Sequence, residues 1–181
     1  MKSLTVNNQI RLEQIKYNHA FQIFQAIDQN RGFLSAWLPF VDQTRTQEDT
    51  ESFIRSVLAE PADVREDVFV IWYQDHFAGL IGFKDTDLPN MKTEIGYWLT
   101  ERMTGKGIMK CTVEALVSYT FMNMNMNRIQ IKVAVGNDKS AAIPKKLGFY
   151  FEGVERAGEK HKYRFLDLEI YSLLKSEWTG V

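Results

Sequence analysis

The sequence is poor in cysteine and has no long hydrophobic run. Cys111 is the single cysteine among 181 residues, so no internal disulfide can form. That composition fits a reducing compartment. No apolar stretch approaches the roughly 18 residues of a membrane-spanning helix, and the N-terminal segment lacks the apolar core of a signal peptide. The sequence therefore predicts a cytoplasmic protein with no membrane partner.

An excess of charge and a metal-binding pattern are also absent from the sequence. The formal net charge is −1, so no global field would steer the protein toward nucleic acid. The three histidines and the cysteine are dispersed, without the ligand spacing of a zinc site. We therefore expect neither a direct nucleic-acid partner nor a bound metal. The length of 181 residues and the hydrophobic content of 45% fit a single globular domain over residues 1–181.

The hydrophobic periodicity changes between strand and helix patterns along the whole chain. Strands are predicted near residues 10–14, 68–73, 77–83, 95–99, 129–135, 150–155 and 162–174. Helices are predicted near residues 20–27, 46–58, 108–124 and 140–147, and a polar loop is predicted at 85–90. The mixture of hairpins with strand–helix–strand units predicts an α/β fold, in which a mixed sheet carries helices on both faces.

Residues 94–109, EIGYWLTERMTGKGIM, form the most informative segment. A predicted strand ending at Leu99 leads into Arg102, Gly105 and Gly107, and a helix pattern begins at Ile108. Glycine permits positive φ and close backbone approach, and the free N–H groups at a helix start attract anions. Arg102 adds charge-assisted donors. The segment therefore predicts a phosphate-binding loop.

Two common nucleotide-binding patterns do not fit this loop. The dinucleotide fingerprint G-x-G-x-x-G requires a third glycine where Lys110 stands. The P-loop pattern G-x-x-x-x-G-K-[ST], started at Gly105, requires a glycine at the same position. The pattern present is R-x-x-G-x-G, formed by Arg102, Gly105 and Gly107. It resembles the acyl-CoA pyrophosphate loop of the GNAT N-acetyltransferases.

A second segment, residues 128–153, strengthens this resemblance. A strand is followed by Asn137, Ser140 and a short helix that ends at Leu147-Gly148-Phe149. These residues match the N-x-x-S and L-G-F elements of GNAT proteins in order and spacing. The likeness covers nearly the whole chain and is closest to the RimJ/RimL type, which acetylates the N-termini of ribosomal proteins. It implies the acyl-CoA N-acyltransferase fold, a mixed and mostly antiparallel sheet flanked by helices.

The resemblance implies acetyl-CoA as co-substrate and suggests where it binds. The strand and loop residues that would hold its acetyl arm and pyrophosphate are Tyr97, Trp98, Leu99, Arg102, Met103, Thr104, Gly105, Lys106, Gly107, Ile108 and Met109. Asn137 and Ser140 would contact the pantetheine arm, although Asn137 could instead form an Asx turn before the helix. Adjacent side chains face opposite sides of a strand, so at least one of Tyr97 and Trp98 must belong to the core.

Acetyl transfer to an amine requires a general base for the ammonium and an acid for the leaving thiolate. By family position Ser140 is the candidate acid, with Tyr150 as a second choice, although Ser140 could instead be a helix N-cap. Glu159 matches a glutamate that RimL-like enzymes place after the L-G-F segment, in what reads here as a charged loop. Glu94, just before the acetyl-binding strand, is the other candidate base, and a water chain is the third possibility.

The predicted function is acetyl-CoA-dependent transfer to a primary amine, most simply the N-terminal amine of a ribosomal protein. Two alternatives stay open: an acetyltransferase of small amines such as polyamines or aminoglycosides, and a CoA-binding module without turnover. The resemblance also implies a homodimer. By family position, the acceptor would lie near Trp37, Phe40, Trp72, Tyr163 and the loop 85–90, although Trp37 and Phe40 could instead be core or dimer contacts.

Overall fold

A computed structural model describes residues 3–59 and 67–180. Its strands are Ser3–Thr5 (β1), Ile10–Gln14 (β2), Val68–Tyr73 (β3), His76–Asp87 (β4), Lys92–Leu99 (β5), Arg128–Ala134 (β6), Tyr150–His161 (β7) and Arg164–Leu174 (β8). Its α-helices are Ala20–Gln29 (α1), Arg31–Leu34 (α2), Gln47–Ala59 (α3), Ile108–Asn123 (α4) and Asp138–Lys146 (α5). Short 3-10 turns cover Tyr17–His19, Pro39–Asp42 and Glu101–Met103.

The strands of the described chain form one sheet in the order β1-β2-β3-β4-β5-β6-β8-β7. The pairs β1–β2, β2–β3, β3–β4, β6–β8 and β7–β8 are antiparallel, whereas β5 and β6 are parallel. Parallel neighbours require a crossover connection, and α4 provides it between β5 and β6. The predicted mixed, mostly antiparallel sheet flanked by helices is confirmed.

The first compact unit comprises Met1–Gly82 and Tyr97–Ile108. Helix α1 buries Ile23 and Ile27, which lie one turn apart on the same face. These side chains share a core with Ile54 of α3 and Trp98 of β5. The β3–β4 hairpin turns through Gln74 and Asp75, with φ of 49° and 60°. Two successive positive φ values are what a type I′ hairpin turn requires, so the turn forms there without glycine.

The second compact unit comprises Phe83–Gly96 and Met109–Val181. In β6, Ile129, Ile131 and Val133 are buried, while Gln130 and Lys132 between them are half-buried. Side chains alternate across a strand with a period of two. The second unit therefore has one apolar and one polar face along β6, and the polar face carries the ionisable groups described below.

The predicted loop at 85–90 was wrong in its first half, because β4 continues to Asp87. The hydroxyls of Thr86 and Thr93 lie 2.8 Å apart, which joins the ends of β4 and β5. The connecting turn is closed by the Asn90 N–H, which donates to Asp87 Oδ1 at 3.0 Å. Strand β5 likewise begins at Lys92 rather than near residue 95, so Glu94 lies inside the strand.

The predicted charged loop around Glu159 was also wrong. Strand β7 extends to His161, and Glu159 lies opposite Leu166 of β8. The pairing is irregular between Glu155 and Glu159, where Ala157 has a positive φ of 52°. A strand at the edge of a sheet carries charged side chains without difficulty, so the apolar period that would have indicated a strand is missing here.

Two short elements were not predicted. Strand β1 has three residues and helix α2 has four. Segments of this length are too short to show a hydrophobic period. The chain turns a corner at Asn30, where α1 ends at Gln29 and α2 begins at Arg31.

Candidate active site

The glycine loop lies between β5 and α4. Gly105 and Gly107 have φ of 76° and 77°, the left-handed region that glycine adopts without strain. Both glycines, Arg102 and Lys106 are exposed. A Cβ on either glycine would meet no described atom within 4 Å. Helix α4 starts at Ile108, and first-turn N–H groups of a helix lack helical acceptors. Open backbone, cationic side chains and a helix start together fit a pyrophosphate.

Other side chains of the loop are buried or contact neighbouring residues. Three of the predicted binding residues have buried side chains, so only their backbone can face a ligand: Met103, Ile108 and Met109. Lys106 Nζ lies 5.7 Å from the centre of the Tyr73 ring and 4.0 Å from Met103 Sδ. The half-buried Thr104 donates its hydroxyl proton to the Glu101 carbonyl at 2.8 Å.

Strand β5 precedes the loop and contributes one residue to the core. Trp98 is buried, with its ring centre 6.0 Å from that of Phe77, whereas Tyr97 and Leu99 are half-buried. The prediction that one of the two adjacent aromatic residues is core is confirmed for Trp98. A Cβ on Gly79 would lie 2.0 Å from the Trp98 carbonyl oxygen. Glycine at position 79 thus allows the backbones of β4 and β5 to approach closely.

The start of α5 carries two further predicted residues. Asn137 is the N-cap residue, and its Oδ1 accepts the Ser140 N–H at 3.3 Å. The capping role considered for Ser140 is therefore wrong, because Asn137 fills it and Ser140 lies inside the first turn. Ser140 is half-buried. Tyr150, the second candidate acid, is 67% exposed on β7.

Glu94 belongs to a buried ionic cluster of the second unit. Its side chain is only 3% exposed, and Lys84 Nζ lies 2.7 Å from Oε1. Gln130 Nε2 donates to Oε2 at 3.2 Å. A buried carboxylate persists when it is paired and hydrogen-bonded in this way. The sequence analysis missed Lys84 and Gln130, and although the strand period marks Gln130 as polar-facing, nothing local pairs either residue with Glu94.

Glu159 is half-buried on β7, opposite the buried Leu166. Burial raises the pKa of the Glu159 carboxyl above its usual value, and the negative charge of Glu94 adds to the increase. Electrostatic interactions with three neighbours oppose this rise in the pKa of Glu159: Lys84, His161 and Lys132. A carboxylate with a raised pKa is a better proton acceptor near neutral pH. The structure thus brings the two candidate bases into electrostatic contact.

The residues predicted for the acceptor side differ in exposure. Trp72 Nε1 donates to Glu13 Oε2 at 3.1 Å, and the Trp72 ring meets the buried His19 edge-on. Trp37 is half-buried, Phe40 is 37% exposed, and Tyr163 is fully exposed. Trp72 therefore has a structural partner within the first unit, whereas Tyr163 can meet a partner molecule.

The described residues, 3–59 and 67–180, contain neither a cluster of metal ligands nor a membrane-spanning helix. No group of three or more His, Cys, Asp or Glu side chains there could hold a metal ion. No helix in that part is long and apolar enough to cross a membrane.

Comparison with known proteins agrees with this geometry. The profile of the acetyltransferase (GNAT) domain matches residues 9–150, which include the glycine loop, Asn137 and Ser140. The chain belongs to the GNAT acetyltransferase family. It is an N-acetyltransferase that uses acetyl-CoA as co-substrate. Glu159 lies beyond the matched segment.

Three related GNAT proteins extend the likeness over nearly the full chain. YdaF of Bacillus subtilis (strain 168) is 34% identical over 181 residues, which are 99% of each chain. Its name describes it, by inference, as a ribosomal N-acetyltransferase. The ribosomal-protein-serine acetyltransferase of Escherichia coli (strain K12) is 26% identical over 94% of this chain and 96% of its own. The crystal structure of the microcin C7 self-immunity acetyltransferase MccE with acetyl-CoA and AMP has a TM-score of 0.90, with 28% identity over 96% of each chain.

Proposed function

We propose that this acetyltransferase modifies the N-terminal α-amine of a protein, with a ribosomal protein as the favoured acceptor. The observation that carries the proposal is the carboxylate pair on the polar face of the second unit. Glu94 is buried and compensated by Lys84, while Glu159 has a raised pKa and is half-buried. The names of the two ribosomal acetyltransferase relatives support the same acceptor class.

Glu159 offers a carboxylate to an acceptor ammonium on a face that carries further negative charge. Lys132 Nζ lies 2.9 Å from Glu155 Oε2, and Lys84 pairs with Glu94. Asp85 adds another negative charge that acts on Lys132. The carboxylates of this face therefore suit a cationic acceptor such as a protein N-terminus.

Each candidate residue has a definite role in the proposed reaction. Glu159 takes a proton from the acceptor ammonium, so that the neutral amine can attack. Acetyl-CoA, when bound, supplies an acetyl group activated as a thioester. A backbone N–H of the strand segment Tyr97–Leu99 orients and polarises the acetyl carbonyl. Ser140 gives a proton to the leaving sulfur and regains one from the amine nitrogen as the amide forms, so no covalent enzyme intermediate is needed.

The glycine loop supplies the anion site in this proposal. Arg102 and Lys106 provide positive charge, and the backbone from Met103 to Met109, with Gly105 and Gly107, provides N–H donors for the pyrophosphate. Asn137 of the second unit binds the pantetheine arm while it caps α5. The profile match spans both units, which supports one functional domain over residues 1–181.

A cytoplasmic location and a homodimer complete the proposal. The single cysteine supports a reducing compartment. Strands β7 and β8 expose Phe151, Val154 and Phe165, each at least 48% accessible. Exposed apolar side chains on a strand at a sheet edge favour association with another chain.

A thiol-release assay with a matched acceptor panel tests the acceptor class. We expect turnover with peptides that begin with Ser, Ala, Thr or Met, and none with the same peptides carrying an acetylated N-terminus. Each peptide also contains a lysine. The blocked peptides keep that ε-amine, so they separate acetylation of the α-amine from acetylation of a lysine side chain. Turnover confined to spermidine or an aminoglycoside would contradict the protein acceptor. CoA binding without turnover on any amine would favour the non-catalytic module.

The electrostatic link between the two glutamates gives a second test. Removing the Glu94 charge by Glu94→Gln removes a cause that raises the pKa of Glu159. The base is active when ionised, so the acid limb of the kcat/KM profile is expected to move to lower pH. Glu152→Gln is the matched control, because Glu152 pairs with Arg128 at 2.6 Å and does not perturb Glu159. An acid limb that stays in place or moves to higher pH in Glu94→Gln would refute the link.

A further inference from the structure

Asn30 lies at the corner between α1 and α2 and connects several backbone segments. Its Nδ2 donates to the Ala26 carbonyl at 2.8 Å, and its backbone carbonyl accepts the Leu34 N–H at 2.9 Å. These two bonds hold the end of α1 and the start of α2. The side-chain nitrogen of Asn30 is used in the first bond, and the side-chain oxygen makes a different hydrogen bond.

Asn30 Oδ1 accepts the N–H of Glu101 at 3.1 Å, across 71 positions in the sequence. Glu101 begins the 3-10 turn Glu101–Met103, and the first N–H groups of such a turn need an acceptor from outside. The preceding residue, Thr100, is a type that often caps helices, yet its side chain makes no cap bond here. Asn30 therefore supplies the cap that Thr100 does not.

The capped turn leads directly into the glycine loop. It carries Arg102 and is followed by Gly105. Met103 is buried at 6% exposure, which anchors the far end of the turn. Lys106 packs on the Tyr73 ring. The segment before Gly107 is thus held at its beginning by Asn30, in its middle by Met103, and near its end by Lys106.

We propose that Asn30 is a positioning residue for the acetyl-CoA pyrophosphate loop, acting through its hydrogen bond to the Glu101 N–H. The inference rests on the proposed assignment of this loop to the pyrophosphate. A loop already ordered before binding loses less conformational freedom when the ligand arrives. The bond from Asn30 therefore strengthens CoA binding without touching CoA. It also makes Asn30, among the residues of the α1–α2 corner, a determinant of acetyl-CoA affinity.

Asn30→Ala and Arg31→Ala form a matched pair of variants. Arg31 lies at the same corner and donates to the Val41 and Thr44 carbonyls at 2.7 and 2.6 Å, away from the loop. Loss of one hydrogen bond should weaken CoA binding by about three- to tenfold in Asn30→Ala. KM for acetyl-CoA should rise in parallel, with kcat changed less than about twofold. Arg31→Ala should lower Tm but leave the Kd of CoA unchanged. Calorimetric titration with CoA and steady-state kinetics measure these quantities.

A double-mutant cycle tests whether the effect passes through the Glu101 N–H. Glu101→Pro removes that donor, and Thr100 has a ψ of 150°, which suits a residue before proline. In the Glu101→Pro background, Asn30→Ala should cost no further CoA affinity. An undiminished cost there would overturn the inference. Amide hydrogen exchange in the unmodified protein gives a check that needs no variant: the Glu101 N–H should be protected, and exchange at an unprotected rate would also overturn it.

Gly107→Val separates failure of this inference from failure of the loop assignment. If Gly107→Val weakens CoA binding and Asn30→Ala does not, the loop assignment stands and the role of Asn30 is wrong. If neither variant changes the Kd of CoA, the loop does not bind the pyrophosphate, and the loop assignment and the role of Asn30 are both wrong. If Asn30→Ala and Arg31→Ala weaken CoA in proportion to their loss of Tm, Asn30 is merely structural.

Discussion

Replacing Glu159 by glutamine is expected to lower kcat by about 10²- to 10⁴-fold at neutral pH, because a positioned general base contributes that range. The carboxylate has the properties of a base: it is half-buried, and burial raises its pKa. Glutamine keeps the shape and loses the ability to accept a proton. Steady-state rates with a peptide acceptor measure the effect, and Glu152→Gln on the same strand is the control.

The pH dependence of the Glu159→Gln variant distinguishes a lost base from general damage. An α-amino group has a pKa of about 7.7–8.0, and above it the acceptor is already neutral. The variant should therefore recover activity as pH rises past the pKa of the acceptor. A flat profile at a low rate would indicate damage to the site, and an unchanged rate at neutral pH would transfer the role to Glu94 or water.

The same substitution should leave the protein no less stable. A carboxyl whose pKa is raised in the folded state binds protons more tightly there than in the unfolded chain. Its contribution to the free energy of unfolding therefore falls as pH rises from the unfolded pKa through the folded pKa. At neutral pH the ionised Glu159 is a net cost, which Glu159→Gln removes. Tm at neutral pH should be equal to or higher than that of the unmodified protein, and a marked decrease would contradict this account.

Replacing Gly107 by valine is expected to weaken CoA binding by about a hundredfold or more. Gly107 has a φ of 77°, which costs a side-chain-bearing residue roughly 1–3 kcal/mol and a β-branched residue more. A Cβ there meets no described atom within 4 Å, so valine would occupy space that the proposed pyrophosphate needs. The strain is present with and without CoA, so it lowers Tm, whereas the lost space acts on binding, where about 2.7 kcal/mol corresponds to a hundredfold change in Kd.

Gly148→Val is the matched control for the strain alone. Gly148 has a φ of 76°, and a Cβ there also meets no described atom within 4 Å. The two variants should lose similar amounts of Tm, and only Gly107→Val should lose CoA affinity by calorimetric titration. Equal loss of affinity in both would mean that the effect is general destabilisation, and the loop assignment would lose its support.

Features that depend on local chemistry were predicted well. The positive φ of Gly105 and Gly107 follows from the freedom of glycine, and α4 and β6 follow from their hydrophobic periods. The capping residue before α5 was predicted less well, because Asn137 and Ser140 are both good capping residues. Only the observed bond from the Ser140 N–H to Asn137 Oδ1 distinguishes them.

Features that depend on strand pairing were predicted poorly. Glu159 was expected in a loop because its surroundings are charged, yet it lies in β7 beside a buried leucine of β8. A polar strand at a sheet edge has no apolar period, so its sequence resembles a loop. The predicted end of β4, near residue 83, was too early for a similar reason, because Thr86 and Asp87 in the last part of the strand are polar.

The family, the glycine loop and the candidate residues could be predicted from the sequence alone, because glycine conformation, helix capping and strand period act over a few neighbouring residues. Which other residues act on these candidates depends on the tertiary structure. Lys84 and Gln130 meet Glu94 at 2.7 and 3.2 Å, and Asn30 meets Glu101 across 71 positions. Burial raises the pKa of Glu159. These contacts arise from pairing between distant strands and helices, so no local pattern records them.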